Sequence, residues 1–339
     1  MSRFLITGGA GFIGSNFIHY LLNKNPDCHL INLDKLTYAG NLENLQDIAD
    51  HPAYRFVHGD ICDFKLVDEL MSQSEVVINF AAETHVDRSI MEADSFIITD
   101  ILGTYSLLKS ALKHQIKLFV QISTDEVYGA ILRGSAKESH PLRPGNPYSA
   151  SKSGADNLVL SFYTTYKLPI IIIRPTNNFG PYQYPEKLIS LFITNAIDNL
   201  PLPLYGDGRQ IRDWLFVEDN CAAIDLIVNK GKIGEIYNVS GGCLLRNIDV
   251  SLKILEFLQK PTSLIMPIKD RPGHDRRYSL NCDKIEKLGW QPLQSFDQTL
   301  EKTIKWYQTH QLWWRKIKEK DKNFIEFYKK QYDAGKRSD

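Results

Sequence analysis

The residues with the clearest chemical potential stand in two short runs, TDE at 124–126 and YSASK at 148–152. Thr124, Asp125 and Glu126 follow an apolar segment that predicts a buried strand. Tyr148 and Lys152 are four residues apart on a predicted helix, which places them on one face, about 6 Å apart along the axis. An ammonium beside a phenol favours the phenolate and lowers the pKa of the phenol. The pair therefore predicts a base that removes a hydroxyl proton while a hydride leaves.

Oxidation of an alcohol needs no pair of carboxylates, so Asp125 and Glu126 indicate a further step. Two acids beside a ketone suit an elimination, in which one takes the acidic proton next to the carbonyl and the other protonates a departing hydroxyl. Their proximity and partial burial would push their pKa values apart. The Thr124 hydroxyl can hydrogen-bond the reacting oxygen. The alternative is structural, since either carboxylate can cap the loop that follows.

A glycine-rich turn near the N-terminus predicts the hydride acceptor. Gly8, Gly11 and Gly14 have the spacing GxxGxxG between a predicted strand and a predicted helix. Backbone N–H groups at such a turn meet a pyrophosphate, although a glycine turn that binds nothing is the alternative. Asp34 ends the second predicted strand, where a carboxylate accepts from both ribose hydroxyls and repels a 2′-phosphate, which favours NAD over NADP. Residues 60–61 end the third predicted strand and are candidates for the adenine edge.

Short β-branched runs alternate with helical patterns through the first half of the chain. Strands are predicted at 4–7, 30–34, 55–58, 76–80, 118–123 and 170–174, and helices at 12–23, 66–71, 96–114 and 148–166. This alternation predicts an α/β fold with a Rossmann-type doubly wound parallel sheet, which binds ligands at the carboxyl ends of its strands.

The second half of the chain has a different pattern. After residue 174 prolines cluster and predicted strands become sparse, with helices at 188–199, 217–229 and 250–259. We expect an NAD-binding domain over 1–180, with returns at about 215–245. A smaller, interleaved C-terminal α/β substrate domain is expected over 181–330, with a tail over 331–339. Residues 315–330, rich in Lys and Glu, are predicted to form a solvated terminal helix.

Composition excludes several classes of function. The chain has 339 residues, of which 43% are hydrophobic, and its 40 basic and 40 acidic residues give a formal net charge of zero. Bulk charge therefore offers no support for binding nucleic acid or an anionic membrane. Five cysteines without CxxC spacing, and histidines without ligand spacing, predict no disulfide framework and no metal site. Reduced thiols and the lack of a signal or membrane segment fit a cytoplasmic enzyme.

These residues resemble the extended short-chain dehydrogenase/reductases and, within them, the dTDP-glucose 4,6-dehydratases. The resemblance covers nearly the whole chain and includes DKLTYAGN (34–41), AAETHVDRSI (81–90), NNFGPYQ (177–183), PEKL (185–188), RDW (212–214) and RPGHD (271–275). The specific element is TDEVYG (124–129), because related 4-epimerases carry small hydroxyl residues where Asp125 and Glu126 stand.

The resemblance implies a reaction and a role for each catalytic residue. Such enzymes oxidise carbon 4 of a nucleotide-linked glucose with tightly held NAD, eliminate water across carbons 5 and 6, and return the hydride to carbon 6. Tyr148 would be the base at the 4-hydroxyl, assisted by Thr124. Glu126 would be the base at carbon 5 and Asp125 the acid for the leaving hydroxyl, while Lys152 would hold the nicotinamide ribose. The product is a 4-keto-6-deoxy sugar nucleotide, a precursor of deoxysugars such as rhamnose.

The resemblance also implies two sets of binding residues. The cofactor would lie along Gly8, Gly11, Phe12, Ile13, Gly14, Asp34, Lys35, Leu36, Thr37, Asp60, Ile61, Ala81, Ala82, Thr99, Tyr148, Lys152 and Asn178. The sugar nucleotide would contact Thr84, Thr124, Asn177, Lys187, Leu188, Pro203, Leu204, Tyr205, Arg212, Asn247, Arg271 and His274. Arg212 and Arg271 suit a diphosphate by charge and by forked geometry.

The sequence leaves several points open: two departures from the family pattern, the nucleotide base of the substrate, the activity, and the role of two helices. The run Arg174-Pro175-Thr176 stands where the family is expected to have a cysteine and a serine before the paired asparagines, and Thr84 is often serine. Thymine and uracil differ by a methyl group, so UDP-glucose remains a possible substrate. The chain could also be a 4-epimerase, a decarboxylase or a non-catalytic NAD-binding protein. The helices at 96–114 and 148–166 are expected to pair with a second copy in a homodimer, although their apolar faces would equally fit packing on the sheet.

Overall fold

The structure is a computed structural model that describes residues 2–333. Its strands are β1 (Arg3–Thr7), β2 (His29–Asp34), β3 (Tyr54–His58), β4 (Val76–Asn79), β5 (Leu118–Ile122), β6 (Ile170–Pro175), β7 (Asn177–Phe179), β8 (Leu202–Tyr205), β9 (Ile211–Phe216), β10 (Ile236–Val239), β11 (Leu244–Arg246) and β12 (Ile265–Ile268). Its α-helices are α1 (Phe12–Lys24), α2 (Phe64–Met71), α3 (Val86–Met91), α4 (Asp94–Phe96), α5 (Thr104–His114), α6 (Pro147–Tyr166), α7 (Leu188–Ile197), α8 (Val217–Lys230), α9 (Asn247–Phe257), α10 (Asp283–Glu286), α11 (Phe296–Thr309), α12 (Gln311–Lys320) and α13 (Lys322–Tyr328).

A seven-stranded parallel sheet forms the centre of the fold. Its strand order is β10-β6-β5-β4-β1-β2-β3, and the direction of winding reverses between β1 and β4. The register pairs Thr7 with Asn79 across this switch point, and their side chains are joined by a hydrogen bond of 2.6 Å. The predicted doubly wound α/β fold is therefore confirmed, and ligands of such sheets bind outside this reversal.

Local sequence explains the two helices that open the site. Helix α1 begins after Gly11 and buries Phe17, Ile18, Leu21 and Leu22, an apolar stripe of helical period against the sheet. Helix α6 begins with Pro147 and a capping box, in which the side chain of Asn146 accepts from the Ser149 N–H and the Ser149 hydroxyl accepts from the Asn146 N–H. These caps fix where Tyr148 and Lys152 stand.

The predicted helix at 96–114 is interrupted by a wider turn. Between α4 and α5 the backbone forms a π-helix over Ile97–Gly103. Asp100 lies in this segment with 1% of its surface exposed. It accepts hydrogen bonds from the Ser151 hydroxyl at 2.6 Å and the Glu83 N–H at 2.9 Å. Such insertions are frequent at functional sites, and here one places a carboxyl beneath the Tyr148–Lys152 pair.

The C-terminal half contains more strands than predicted. β11, β9 and β7 form one small sheet, and β12 pairs with β8. β10 pairs in parallel with β6, so the chain returns to the large sheet. The domain boundaries themselves remain a prediction, and residues 334–339 of the predicted tail lie outside the described part.

The helices at the C-terminal end are not simply solvated, contrary to prediction, because their charged face is exposed and their apolar face is buried. Trp314, Ile317, Phe324 and Phe327 are buried in an apolar cluster with α7, α9 and α11, as is Tyr332. Their charged neighbours hid this apolar stripe in the sequence. Among residues 2–333, no helix has the length and apolar character needed to cross a membrane.

Candidate active site

One elongated cavity of about 390 Å³ opens at the carboxyl edge of the large sheet. Every predicted site residue except Leu36 lines it. Leu36 contributes through its backbone, which has a φ of 54° and an N–H that donates to Asp34 at 2.8 Å. The two runs at 124–126 and 148–152 and the glycine turn at 8–14 therefore share one space, although they come from separate parts of the chain.

The glycine turn is packed too closely for side chains. Gly8 has a φ of +69°, and a Cβ there would stand 2.6 Å from the Ala81 nitrogen. A Cβ on Gly14 would stand 2.4 Å from the Gly8 carbonyl oxygen. The turn and the start of α1 therefore bring bare backbone to the cavity, as a pyrophosphate site requires.

Asp34 stands at the end of β2 and is fixed by the backbone on both sides. One carboxylate oxygen accepts from the Ala10 N–H at 2.8 Å and the other from the Leu36 N–H at 2.8 Å. Burial raises its pKa, and these two N–H groups oppose the rise. Remaining lone pairs face the cavity, where two ribose hydroxyls can donate to them.

The third strand end carries an ion pair. Lys35 Nζ lies 2.7 Å from Asp60 Oδ2, and Asp60 Oδ1 accepts from the Cys62 N–H at 2.8 Å. Burial acts to raise the pKa of Asp60, but Lys35 and the Cys62 N–H together lower it. The arrangement orders the far end of the cavity, where residues 60–61 were predicted to meet the adenine.

The carboxylate pair lies on a short 3₁₀ turn, Asp125–Tyr128, that follows β5. The cap of this turn is Thr124, whose hydroxyl accepts from the Glu126 N–H at 3.3 Å. The same hydroxyl lies 3.2 Å from Asp125 Oδ1. Because Thr124 caps this turn, neither Asp125 nor Glu126 is used as its cap. The alternative in which one of the two carboxylates has only a capping role is therefore not seen at this turn.

The environment of Asp125 favours its protonated form. Its side chain is buried, and its Oδ2 has no hydrogen-bond partner within the described residues. Burial and the nearby Glu126 raise its pKa well above the usual value, with Arg212 opposing them. A buried carboxyl with a raised pKa holds its proton to higher pH than an exposed one and is suited to give that proton to a leaving group.

Glu126 has a more polar environment than Asp125. Its Oε2 accepts from Asn146 Nδ2 at 3.5 Å and lies 3.4 Å from the Tyr278 hydroxyl. Tyr278 in turn donates to Asp275 at 2.7 Å. Glu126 is partly exposed to the cavity, so the two neighbouring carboxyl groups differ in environment, as an acid and a base must.

The predicted effect of Lys152 on Tyr148 is wrong in this structure. Burial raises the pKa of Tyr148, and the charges of Glu126 and Asp100 add to the rise, while hydrogen bonds with threonine hydroxyls oppose it. Lys152 Nζ donates to the Ile122 carbonyl at 2.7 Å. Burial lowers the pKa of Lys152, with Asp100 and Asp156 opposing. The spacing of Tyr148 and Lys152 placed both side chains on one helix face. Spacing carries no information about burial, which is the largest influence on both pKa values.

A second cluster of polar side chains lines the cavity on the side of the two smaller sheets. Arg271 Nη1 donates to Asp87 Oδ1 at 2.8 Å, and the Tyr205 hydroxyl donates to Asp87 Oδ2 at 2.9 Å. The guanidinium of Arg212 lies 4.4 Å from the centre of the Tyr278 ring and donates to the Asp275 carbonyl at 2.9 Å. Both arginines line the cavity, and Arg271 Nε has no hydrogen-bond partner within the described residues, so this end of the cavity can bind an anion.

Several amide groups in the cavity wall lack partners. The side-chain oxygens of Asn177, Asn178 and Asn247 are buried and accept no hydrogen bond within the described residues. Buried polar atoms are normally satisfied, so unpaired ones in a cavity wall indicate a ligand that pairs with them.

Sequence reasoning missed several polar cavity residues that the fold adds. They include Glu83, Asp87, Glu186 and Tyr332. The first three stand in the motifs at 81–90 and 185–188, so the signal was present but was not assigned to the site. Tyr332 had no such signal, because only the packing of α13 and the turns after it brings it to the cavity.

Comparison with known proteins agrees with this geometry. The family model described as GDP-mannose 4,6 dehydratase matches residues 5–303. The low-salt glycan biosynthesis protein Agl12 of Haloferax volcanii is 52% identical over 89% of this chain and 97% of its own. The dTDP-glucose 4,6-dehydratase of Streptomyces antibioticus is 46% identical over 93% and 95%.

Solved structures give the same result. The crystal structure of the dTDP-glucose 4,6-dehydratase DesIV from Streptomyces venezuelae, which was solved with NAD bound, superposes with a TM-score of 0.91. It is 46% identical, and the match covers 93% of this chain and 99% of that one. UDP-glucose 4-epimerase from Thermus thermophilus also superposes, with a TM-score of 0.84 at 28% identity. The fold alone therefore does not separate the two activities. The predicted resemblance is nevertheless confirmed, and the chain belongs to the sugar-nucleotide 4,6-dehydratase family that includes the dTDP-glucose 4,6-dehydratases.

Proposed function

We propose that this chain is an NAD-dependent hydro-lyase that converts dTDP-glucose to dTDP-4-keto-6-deoxyglucose. The observation that carries the proposal is that Asp125 and Glu126 line the same cavity as Tyr148 and Lys152. A 4-epimerase would need the second pair but not the first. The names of the relatives at about 45% identity support dTDP-glucose as the substrate.

The residues at one end of the cavity fit NAD. Gly8 and Gly14 leave no room for side chains where the pyrophosphate would approach α1. The carboxylate of Asp34 suits unmodified ribose hydroxyls and would repel a 2′-phosphate. The unpaired Asn178 amide oxygen and the Lys152 side chain line the part nearer the catalytic residues. When bound, NAD would accept the hydride from carbon 4 of the sugar and later return it to carbon 6.

Tyr148 is proposed to take the proton of the 4-hydroxyl. Its hydrogen bonds with Thr84 and Thr124 favour the ionised phenol, against the effect of burial. Thr124 also lies 3.2 Å from Asp125, so its hydroxyl stands between the oxidation and elimination residues. Lys152 donates to the Ile122 carbonyl, which fixes its ammonium in the cavity wall.

Elimination is assigned to the carboxyl pair. Once carbon 4 is a ketone, the proton on carbon 5 is acidic, and Glu126 can remove it. Asp125, whose pKa is raised by burial and by Glu126, gives its proton to the 6-hydroxyl, which leaves as water as the bond between carbons 5 and 6 becomes double. The proton on Glu126 can then return to carbon 5 when carbon 6 receives the hydride, which restores the Glu126 carboxylate. Asp125 has lost one proton and Tyr148 has gained one from the 4-hydroxyl, so passage of one proton equivalent from Tyr148 back to Asp125 completes the cycle.

The diphosphate is proposed to lie against Arg212 and Arg271. Both line the cavity, and Arg271 is oriented by its ion pair with Asp87. A guanidinium held in one direction by a carboxylate presents its remaining N–H groups to a second anion. Asn247, with its unpaired amide oxygen, can accept a hydrogen bond from the substrate near this end.

The test compares reaction rates on dTDP-glucose, UDP-glucose, CDP-glucose and GDP-mannose. The 4-keto product is detected by its absorbance in alkali. The proposal expects the highest kcat/KM on dTDP-glucose and a keto-deoxy product. Formation of dTDP-galactose without keto sugar would instead establish a 4-epimerase, and a preference for another nucleotide would refute the assignment of the base.

A homodimer is the proposed assembly. Ile97, Ile98, Leu102 and Tyr105 lie along 94–114 with between 38% and 50% of their surface exposed, and Tyr166 at the end of α6 is 55% exposed. These side chains form one apolar strip on two neighbouring helices, which a second copy of the chain would cover. Replacement Ile98→Glu is expected to give monomers in light scattering, whereas Leu293→Glu, at a residue 78% exposed elsewhere, should not.

The cytoplasm is the proposed compartment. Cys28, Cys62, Cys221, Cys243 and Cys282 are all unpaired in the structure, which is typical of proteins in a reducing compartment. Fractionation of cells that express the tagged chain would test this, and recovery in a secreted fraction would refute it.

A further inference from the structure

Two hydrogen bonds, made by the side chains of Trp313 and Asn44, link helix α12 to the glycine turn at 8–14. The indole Nε1 of Trp313 donates to Asn44 Oδ1 at 2.9 Å. Asn44 Nδ2 donates to the carbonyl oxygen of Ala10 at 3.0 Å. Asn44 is 1% exposed and Trp313 is 7% exposed, so water does not compete for these bonds. The chain of contacts links residues that are more than 260 positions apart in sequence.

The indole fixes which way the Asn44 amide faces. An asparagine amide carries an acceptor on one side and a donor on the other, and its two orientations are similar in shape. An indole N–H can only donate, so it requires the oxygen of Asn44 on its side. The NH₂ group must then face the Ala10 carbonyl. The reverse orientation would set two donors against each other and two oxygens against each other, at a cost inside the protein.

The N–H and the carbonyl of Ala10 are the backbone groups through which the glycine turn is held in place. The Ala10 carbonyl also accepts from the Asn41 N–H at 3.0 Å, while the Ala10 N–H donates to Asp34 at 2.8 Å. The carbonyl belongs to the peptide that enters Gly11, the residue before α1. Its direction therefore sets the direction in which the first N–H groups of α1 face the cavity.

Trp313 also packs in an aromatic cluster, which by itself would give it only a structural role. Its ring centre lies 5.2 Å from Trp306 and 6.2 Å from Tyr182. Packing of this kind depends on the ring and not on the indole N–H. The hydrogen bond to Asn44 is the separate feature, and it can be removed while an aromatic ring is kept.

We infer that Trp313 is a positioning residue for the dinucleotide: through Asn44 it orients the glycine turn that receives the pyrophosphate. The inference rests on the proposed NAD function. It means that the C-terminal helix belongs to the cofactor site although it does not touch the cofactor cavity.

The test is Trp313→Phe in the full-length chain, with NAD affinity measured by titration after bound nucleotide is removed. Loss of the oriented amide is expected to weaken NAD binding roughly tenfold, which corresponds to about 1.4 kcal/mol. The kcat at saturating NAD should stay within about twofold, because the catalytic groups lie elsewhere in the cavity. Trp306→Phe is the matched control, since it changes the same cluster without touching Asn44, and it should leave NAD affinity unchanged.

Asn44→Ala gives an independent measurement. It should weaken NAD binding to a similar extent, and adding Trp313→Phe to it should have little further effect, because both changes remove the same link. Unchanged NAD affinity in Trp313→Phe, or effects of the two variants that simply add, would overturn the inference. Failure of the wild-type chain to bind NAD is a different result, since it would refute the proposed function as well.

Discussion

Replacement of Asp125 by asparagine is the sharpest test of the elimination chemistry. An amide has nearly the shape of a protonated carboxyl, and its oxygen can keep the contact with Thr124 that Asp125 Oδ1 makes at 3.2 Å. The position of Oδ2, which has no partner within the described residues, would hold the NH₂ group. The cavity should therefore keep its form, and the variant removes only the proton that Asp125 is proposed to give to the 6-hydroxyl.

The expected loss follows from that role. Removal of a positioned general acid typically lowers the rate by 10²–10⁴, or about 2.7–5.4 kcal/mol of transition-state stabilisation. NAD affinity and the KM for dTDP-glucose should change little. The double variant Asp125→Asn with Glu126→Gln should be slower than either single variant, but by less than the product of their effects, because the two groups act in one step.

The pH dependence gives a second measurement on the same residue. Burial and Glu126 raise the pKa of Asp125 well above its usual value, so the active, protonated form persists to higher pH than in an exposed carboxyl and is lost as pH rises through the raised pKa. Wild-type kcat should therefore fall on the alkaline side, and Asp125→Asn should lack that limb.

The raised pKa also affects stability. The native state binds this proton more tightly than the unfolded chain, so the stability linked to Asp125 is complete below the unfolded pKa. It is lost as pH rises toward the folded pKa. At neutral pH, Asp125→Asn should raise the melting temperature. Asp219→Asn is a control buried carboxyl outside the cavity and should leave the rate unchanged. A native rate of keto-sugar formation in Asp125→Asn would refute the acid role.

Three further predictions concern binding. Gly8→Ala should lose most bound NAD after gel filtration, and at least about 1 kcal/mol of stability in thermal unfolding, since its Cβ would stand 2.6 Å from the Ala81 nitrogen at a φ of +69°. Asp34→Asn should reduce the preference for NAD over NADP by roughly tenfold in paired titrations, because the charge that repels a 2′-phosphate is gone; an unchanged ratio would count against its ribose role. Arg271→Lys should raise the KM for dTDP-glucose about tenfold with little change in kcat, since an ammonium cannot hold Asp87 and a phosphate with a planar fork; an equal loss in kcat would place Arg271 in the chemistry.

The placement of the strands and their site motifs was accessible from sequence because it depends on local pattern. The strands β1 and β2 are short apolar runs that end in Thr7 and Asp34, and β5 ends directly before Ser123 and Thr124. Polar residues at such ends must lie at one sheet edge. The glycine spacing at 8–14 and the four-residue interval from Tyr148 to Lys152 are equally local. These features predicted the fold, the cavity edge and the catalytic groups.

What the tertiary structure decided is the environment of those groups. Burial, which no spacing reports, raises the pKa of Tyr148 where the lysine alone would lower it, and it raises the pKa of Asp125 well above its usual value. The wider turn at Ile97–Gly103 that carries Asp100 was also absent from the pattern. The pKa shifts and the wider turn depend on which segments of the chain cover the site, and tertiary packing decides that.

The C-terminal segment separates the two sources of information most clearly. The Lys and Glu residues at 315–330 predicted a solvated helix, and local composition names no partner for Trp313 before it or Tyr332 after it. In the folded protein Trp313 holds Asn44 behind the glycine turn, and Tyr332 lines the cavity. The sequence by itself determined which residues can do the chemistry. Long-range packing determined how those residues are charged, oriented and enclosed, since pKa values and amide orientations depend on neighbours that are distant along the chain.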